Sequence, residues 1–173
     1  MVRGGFVAAG HAGIFRQYGK GLGMADRTEF SPISCGIDIA ARRAILVFLR
    51  QTGETIEDVT GKQTQIKIGD DDDPGEVRRF CQCAHAVFDS MRPDRIAIVQ
   101  RKKIGNFASG GTTFKLEGLL QLYPKADVTI VASATLRQYS KDHRPSLTPR
   151  YTYQKNAYLL ARYLLARLSP AAS

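Results

Sequence analysis

Ile33-Ser34-Cys35-Gly36-Ile37-Asp38-Ile39-Ala40 and Ala44-Ile45-Leu46-Val47-Phe48-Leu49-Arg50, parted only by Ala41-Arg42-Arg43, form the stretch whose reading decides the fold. Both runs are short and largely apolar, and the trio between them breaks the pattern, so the pair reads as a hairpin of two strands. One acid, Asp38, interrupts the first run and places a carboxylate in the middle of a strand.

Downstream, residues 63–68 give a third strand, with Gln65 and Lys67 alternating with Ile66 and Ile68. Asp70 to Asp73 and Pro74-Gly75 make a solvated loop that also starts a helix, its acids beside the N-terminal dipole. Over 75–91, Val77, Phe80, Cys81, Ala84, Val87, Phe88 and Met91 recur at three- and four-residue intervals and form one apolar stripe. Cys81 is expected in the core, with Cys83 and His85 facing away. Cys81-Gln82-Cys83-Ala84-His85 lacks both the Cys-x-x-Cys spacing and the second ligand pair of a zinc site.

Pro93-Asp94 opens a fourth strand over 95–100, whose Ile96-Ala97-Ile98-Val99 run suits burial on both faces of a sheet. A basic loop over 101–111 leads to a helix over about 112–123, a fifth strand over 128–131 and a short helix begun by Ser133-Ala134-Thr135. After a proline-bounded loop over 145–149, a last helix covers about 152–168, with Ala157, Leu160, Ala161, Leu164 and Leu168 on its inner face. An antiparallel meander therefore precedes alternating helices and strands, the order of an α/β domain.

Composition agrees with one globular domain. The 173 residues are 43% hydrophobic and 24% charged, and the apolar runs fall short of the ~20 residues that cross a bilayer. Three cysteines, Cys35, Cys81 and Cys83, are too few for a disulfide framework and point to a reducing compartment, the cytoplasm by default. Residues 1–30 are rich in glycine and read as a loose extension to a domain over 31–173. Up to Met24 the extension has Arg3, Arg16 and Lys20 and no acid, which suits either an organelle presequence or a start at Met24 itself. Gly19-Lys20-Gly21-Leu22-Gly23 lacks the flanking strand and helix and the Lys-Ser/Thr ending of a phosphate loop. The net charge of +9 is unevenly placed: residues 95–173 hold 13 Lys/Arg against Glu117, Asp127 and Asp142, while residues 1–94 sum to −1. A basic half joined to a neutral half is the electrostatic footprint of a surface that meets phosphate.

The element order, with the acid of Cys35-Gly36-Ile37-Asp38-Ile39-Ala40 in its first strand, resembles the RuvC-like members of the ribonuclease H superfamily. A closer match, over roughly 33–168, is to a small bacterial domain-of-unknown-function family, number three-thousand-ten. That match is carried by Ile98-Val99-Gln100-Arg101-Lys102-Lys103-Ile104-Gly105-Asn106-Phe107-Ala108-Ser109-Gly110-Gly111 and Phe114-Lys115-Leu116-Glu117. The resemblance implies a ribonuclease-H-like mixed five-stranded sheet, three antiparallel strands then parallel ones, with helices on both faces. It also implies a site in which Asp38, a Glu ending the fourth strand and one or two Asp on the last helix hold two divalent ions. Two hard cations about 4 Å apart need several carboxylate oxygens, and the pair clamps the scissile phosphate.

This chain departs from that pattern. The fourth-strand position holds Gln100, and the last-helix positions fall near Tyr153 and Asn156. A lone carboxylate would bind Mg²⁺ or Mn²⁺ poorly, and Lys155 would oppose it further. Asp38 is thus either a residual metal ligand or a structural carboxylate within the sheet, with Gln100 placed to hydrogen-bond it. Glu117 and Asp142 are further candidate ligands, with a surface or ion-pair role as the alternative. The strongest functional candidates lie on the basic loop and the helix after it: Arg101, Lys102, Lys103 and Lys115 for phosphate, Phe107 for stacking on a base, and Gly110 and Gly111 where backbone amides open a helix. Arg137, Lys141, Arg144 and Arg150 extend the same surface if their loops share its side. The expected function is nucleic-acid binding with nuclease activity weak or lost. The alternatives are a non-catalytic scaffold or protein-binding domain, in which the cations are dispersed, and a metal-dependent nuclease with a rearranged site.

Overall fold

The computed structural model describes residues 31–101, 110–143 and 148–168. In chain order these form β1 (Ile33–Ala40), β2 (Arg43–Thr52), β3 (Thr55–Asp58), β4 (Gln65–Lys67), α1 (Pro74–Met91), β5 (Arg95–Val99), α2 (Gly111–Gln121), β6 (Asp127–Val131), α3 (Ser133–Asp142), a 3₁₀ turn at Thr152–Gln154 and α4 (Lys155–Leu168).

The opening hairpin forms as its patterning dictates, β1 and β2 pairing antiparallel from Ile33↔Arg50 to Ala40↔Arg43. Only Ala41 and Arg42 remain for the turn, and Ala41 adopts φ 51° to make it. On the other edge of β1, β5 and then β6 add in parallel, giving the sheet path β3-β2-β1-β5-β6 with β4 also on β2. The sheet has six strands rather than the expected five. Thr55–Asp58 supplies the extra one, an edge strand with only Ile56 partly buried, too brief an alternation to register as a strand. The third strand expected over 63–68 contracts to β4, Gln65–Lys67.

Alternation along the central strands sends two different sets of side chains to the two faces. Cys35, Ile37 and Ile39 of β1 and Leu46 and Phe48 of β2 pack with Phe80, Ala84 and Phe88 of α1 and Leu116 and Leu120 of α2. Phe48, Phe88 and Tyr123 meet edge to face there, with centroids 6.4 and 4.9 Å apart. Each such ring contributes roughly 1.5–3 kcal/mol by burial. Cys81 is only half-buried, a correction to its expected place in the core. Its Sγ lies 3.6 Å from His85 Nε2, and His85 packs edge-on against Tyr123. The helix starts where the acidic run predicts, with Asp73 accepting from the Gly75 amide at 2.8 Å.

The opposite face is covered by α3 and α4. Ile45, Val47 and Leu49 pack with Ala157, Tyr158, Ala161 and Leu165, while Val99 and Val131 meet Leu136, Leu160 and Leu164. The last helix was expected from residue 152, but Thr152–Gln154 is a tighter 3₁₀ turn. The side chain of Gln154, fully buried, accounts for it: it accepts from the Tyr151 amide at 3.1 Å and donates to the Leu46 carbonyl at 3.4 Å. No helix among the described residues is long and apolar enough to cross a membrane.

Candidate functional site

Ser34, Gly36 and Asp38 alternate onto the α4 side of β1, and each meets the helix differently. Ser34 Oγ donates to the Ala161 carbonyl at 2.8 Å. Gly36 has no side chain to interpose: a Cβ there would stand 2.0 Å from the Ala157 oxygen and 2.6 Å from the Ala161 nitrogen. Glycine is thus required by the near contact of helix backbone with strand backbone, and α4 is drawn down so that its first turn reaches the C-terminal part of β1.

At that point Asp38 becomes the hub of a polar cluster. Asn156 Nδ2 donates to Oδ2 at 2.9 Å, and Arg101 Nη2 donates to Oδ1 at 2.8 Å. The Arg101 and Asp38 side chains are only 12% and 14% exposed, so this ion pair is largely shielded from water. Arg101 is further pinned by Nε to the Val99 carbonyl at 2.9 Å and by Nη1 to the Ile39 carbonyl. The guanidinium therefore ties the ends of β1 and β5 together as well as neutralising Asp38.

These groups do not fit a pair of divalent cations. Each oxygen of the one carboxylate already accepts from a protein donor, and a permanent cation stands within hydrogen-bond reach of it. A second cation brought beside that guanidinium would be repelled, with no other acid present to offset it. Among the described residues no three His, Cys, Asp or Glu side chains gather to hold a metal ion.

Of the positions expected to converge, Asp38 and Asn156 do so and Gln100 does not. The Gln100 amide bonds to the Val131 carbonyl at 2.8 Å and its side chain is exposed; the next residue, Arg101, fills the place beside Asp38 that Gln100 was expected to take. Tyr153 points elsewhere, its hydroxyl 3.1 Å from that of Thr64. Glu117 lies on α2 with Oε2 buried and unpartnered among the described residues, and Asp142 accepts twice from Gln138 at 3.0 Å. Lys115 is engaged by the acidic loop, through the Asp71 carbonyl and the Asp71 and Asp72 carboxylates, and Arg42 also contacts Asp71. Desolvation pushes the Asp71 carboxyl up, but hydrogen bonds from Thr112 and Lys115 and the Lys115 charge outweigh it and hold the group below its usual range. Gly110 caps α2, and Gly110 and Gly111 have open space around them. Lys102, Lys103, Phe107 and Arg144 lie outside the described residues, as does the extension over 1–30.

What sequence reasoning missed is a cleft of about 400 Å³ between α3 and α4, beside the Asp38 cluster. It runs from Val99 and Asn156 past Arg137, Lys141 and Lys155. The signal was present as cations at helical spacing, Arg137 and Lys141, but only the fold shows that Lys155 of another helix joins them.

A mixed sheet with this strand order, a helix laid across its central strand and an acid at that strand's C-terminal half define a ribonuclease-H-like fold. The chain belongs to the family described as Protein of unknown function (DUF3010), whose model matches residues 33–164. No curated protein sequence matches it. Among solved structures it is similar to RuvC of Thermus thermophilus, with a TM-score of 0.62 at 15% identity over 79% of this chain and 96% of that one. The same enzyme in complex with a Holliday junction substrate superposes with a TM-score of 0.58 at 15% identity, over the same shares of the two chains.

Proposed function

We propose that this protein binds nucleic acid along the cleft beside Asp38 and does not hydrolyse it by a two-metal mechanism. The observation that carries this reading is the Arg101–Asp38 pair: a guanidinium at 2.8 Å stands where a divalent cation would have to approach the carboxylate. Binding is supported by the gathering of Arg137, Lys141 and Lys155 around one cleft, where a scaffold with a vestigial groove would scatter them. The likeness to RuvC bound to a Holliday junction supports the same class of partner. Lys102, Lys103 and Phe107, which follow Arg101 in the chain, belong to the proposed surface, and Gly110 and Gly111 offer amides at the start of α2. Lys115 joins only if nucleic acid displaces its acidic partners.

Filter binding of a labelled duplex and of a labelled single strand at two salt concentrations tests the reading. Affinity should fall by orders of magnitude between 50 and 200 mM salt, because each neutralised phosphate releases counterions. Absence of binding to both probes at the lower salt would dispose of it. Mg²⁺- or Mn²⁺-dependent cleavage abolished by Asp38→Ala would instead establish a rearranged nuclease, with Glu117 or Asp142 as supplementary ligands.

A further inference from the structure

Beyond the cleft already described, a second one of about 380 Å³ opens along the same pair of helices. The two share Ser140, Lys155 and Leu159, so they form one continuous groove that passes from Val99 and Asn156 to Thr148 and Arg150. Four cations line it: Arg137, Lys141, Lys155 and Arg150. No carboxylate lines it, and none of the four makes a salt bridge among the described residues. Four unneutralised cations along one groove repel each other unless an anionic chain lies between them.

Arg150, at one end of the groove, links it to an aromatic pair that lies next to the groove and does not line it. Tyr151 and Tyr153 stack with centroids 5.3 Å apart and planes 6° from parallel, and Arg150 stands 5.7 Å from the Tyr151 centroid. Both rings remain exposed, at 43% and 38%, although the fold buries nearly every other large apolar side chain described. They are nonetheless held in place: the Tyr153 hydroxyl bonds to Thr64 at 3.1 Å, and Gln154, the next residue, anchors the turn to β2. The bond to Thr64 first, then Gln65 and the charges of Arg43 and Arg150, hold the Tyr153 phenol below its usual range. A held, exposed aromatic surface next to the Arg150 end of a cationic groove has the composition that binds an unpaired strand, phosphates in the groove and a base on the ring.

We infer that Tyr151 and Tyr153 are a stacking platform for an unpaired nucleobase and that the α3–α4 groove carries the backbone of the same single strand. This role rests on the nucleic-acid binding proposed above and adds a preference for unpaired over duplex substrate. A duplex keeps its bases stacked on one another, so it gains nothing from the tyrosines.

The test is fluorescence anisotropy with a labelled oligothymidylate and with a duplex of the same length. Tyr151→Leu/Tyr153→Leu should weaken oligothymidylate about tenfold, the order expected for one lost base–aromatic stack, and leave duplex affinity unchanged. Tyr151→Phe/Tyr153→Phe, which keeps both rings, should retain wild-type affinity and guards against a folding defect. Lys155→Gln should lower the salt slope for oligothymidylate by about one. Unaltered oligothymidylate affinity in the leucine variant, with wild type binding both probes, overturns the platform and leaves the general binding function standing. Wild type that binds neither probe at low salt overturns both.

Discussion

The two faces of the sheet are built on different principles. Toward α1 and α2, β1 presents Cys35, Ile37 and Ile39 to a core of phenylalanines and leucines that admits no polar side chain of the strand. Toward α4 the same strand presents Ser34, Gly36 and Asp38, and contact is made by hydrogen bonds and by backbone proximity. The first face obtains its stability from apolar area, which many side-chain combinations would supply. The second depends on a few positions whose atoms admit little variation. A polar seam of this kind adds less stability than a hydrophobic core, but it places charged groups at fixed positions beside a cleft.

The sharpest way to break that contrast is Gly36→Ala. The added methyl would collide with main-chain atoms of Ala157 and Ala161, which cannot rotate aside, so α4 must move bodily. We expect a loss of about 3 kcal/mol or more, at or beyond the upper end of ordinary overpacking, seen as a lowered urea midpoint. Since the Asp38–Asn156 and Ser34–Ala161 bonds cross the same interface, nucleic-acid affinity should fall with it. A midpoint within error of wild type would mean that helix and strand are not seated this tightly.

A smaller effect is expected at the ion pair. Arg101→Ala strands the Asp38 carboxylate in a site 14% exposed, and removing one partner from a fully buried pair costs about 3–5 kcal/mol. The residual exposure reduces this to about 2–3 kcal/mol. Asp38→Asn should be milder, because the guanidinium keeps the Val99 and Ile39 carbonyls. The double variant should recover part of the loss, a coupling of roughly 1–2 kcal/mol in a double-mutant cycle by chemical denaturation. Strict additivity would indicate that the pair is incidental to the seam.

The contrast also explains what the sequence made legible. Apolar periodicity names α1, β2 and β5 directly, because a stripe or a buried run is a property of consecutive residues. The short edge strand Thr55–Asp58 carries no such stripe, so its residues give no strand signal. Asp38 and Asn156 were picked out through family resemblance, yet their third partner was expected to be Gln100. Strand alternation decides which of the two adjacent residues turns toward Asp38: Ala97 and Val99 face α4 and Arg101 continues their series, while Gln100 continues that of Ile96 and Ile98. Likewise Arg137, Lys141, Lys155 and Arg150 lie on three separate segments, and nothing local in the sequence states that they share one groove.

On the apolar face, the titration of Tyr123 distinguishes that face from the seam. Tyr123 is 5% exposed and donates to Asp89 at 2.9 Å, where Lys125 also binds. Burial first, then the bond to Asp89, pushes its phenol from the usual 10 to about 12. Below pH 10 the phenol is protonated whether the chain is folded or not, and the stability it adds is fully present. As pH rises from 10 to about 12 the unfolded chain releases this proton and the folded chain keeps it, so that stability is lost across the interval. Tyr123→Phe should cost only about 1 kcal/mol at neutral pH, the net worth of a hydrogen bond. Its urea midpoint should then fall less steeply than that of wild type above pH 10, so that the wild-type advantage disappears between 10 and about 12. Because other groups titrate there in both proteins, it is the difference between the curves that reports on Tyr123. A constant difference up to the alkaline limit would show that the phenol ionises equally well in the folded state, and that even this face admits water.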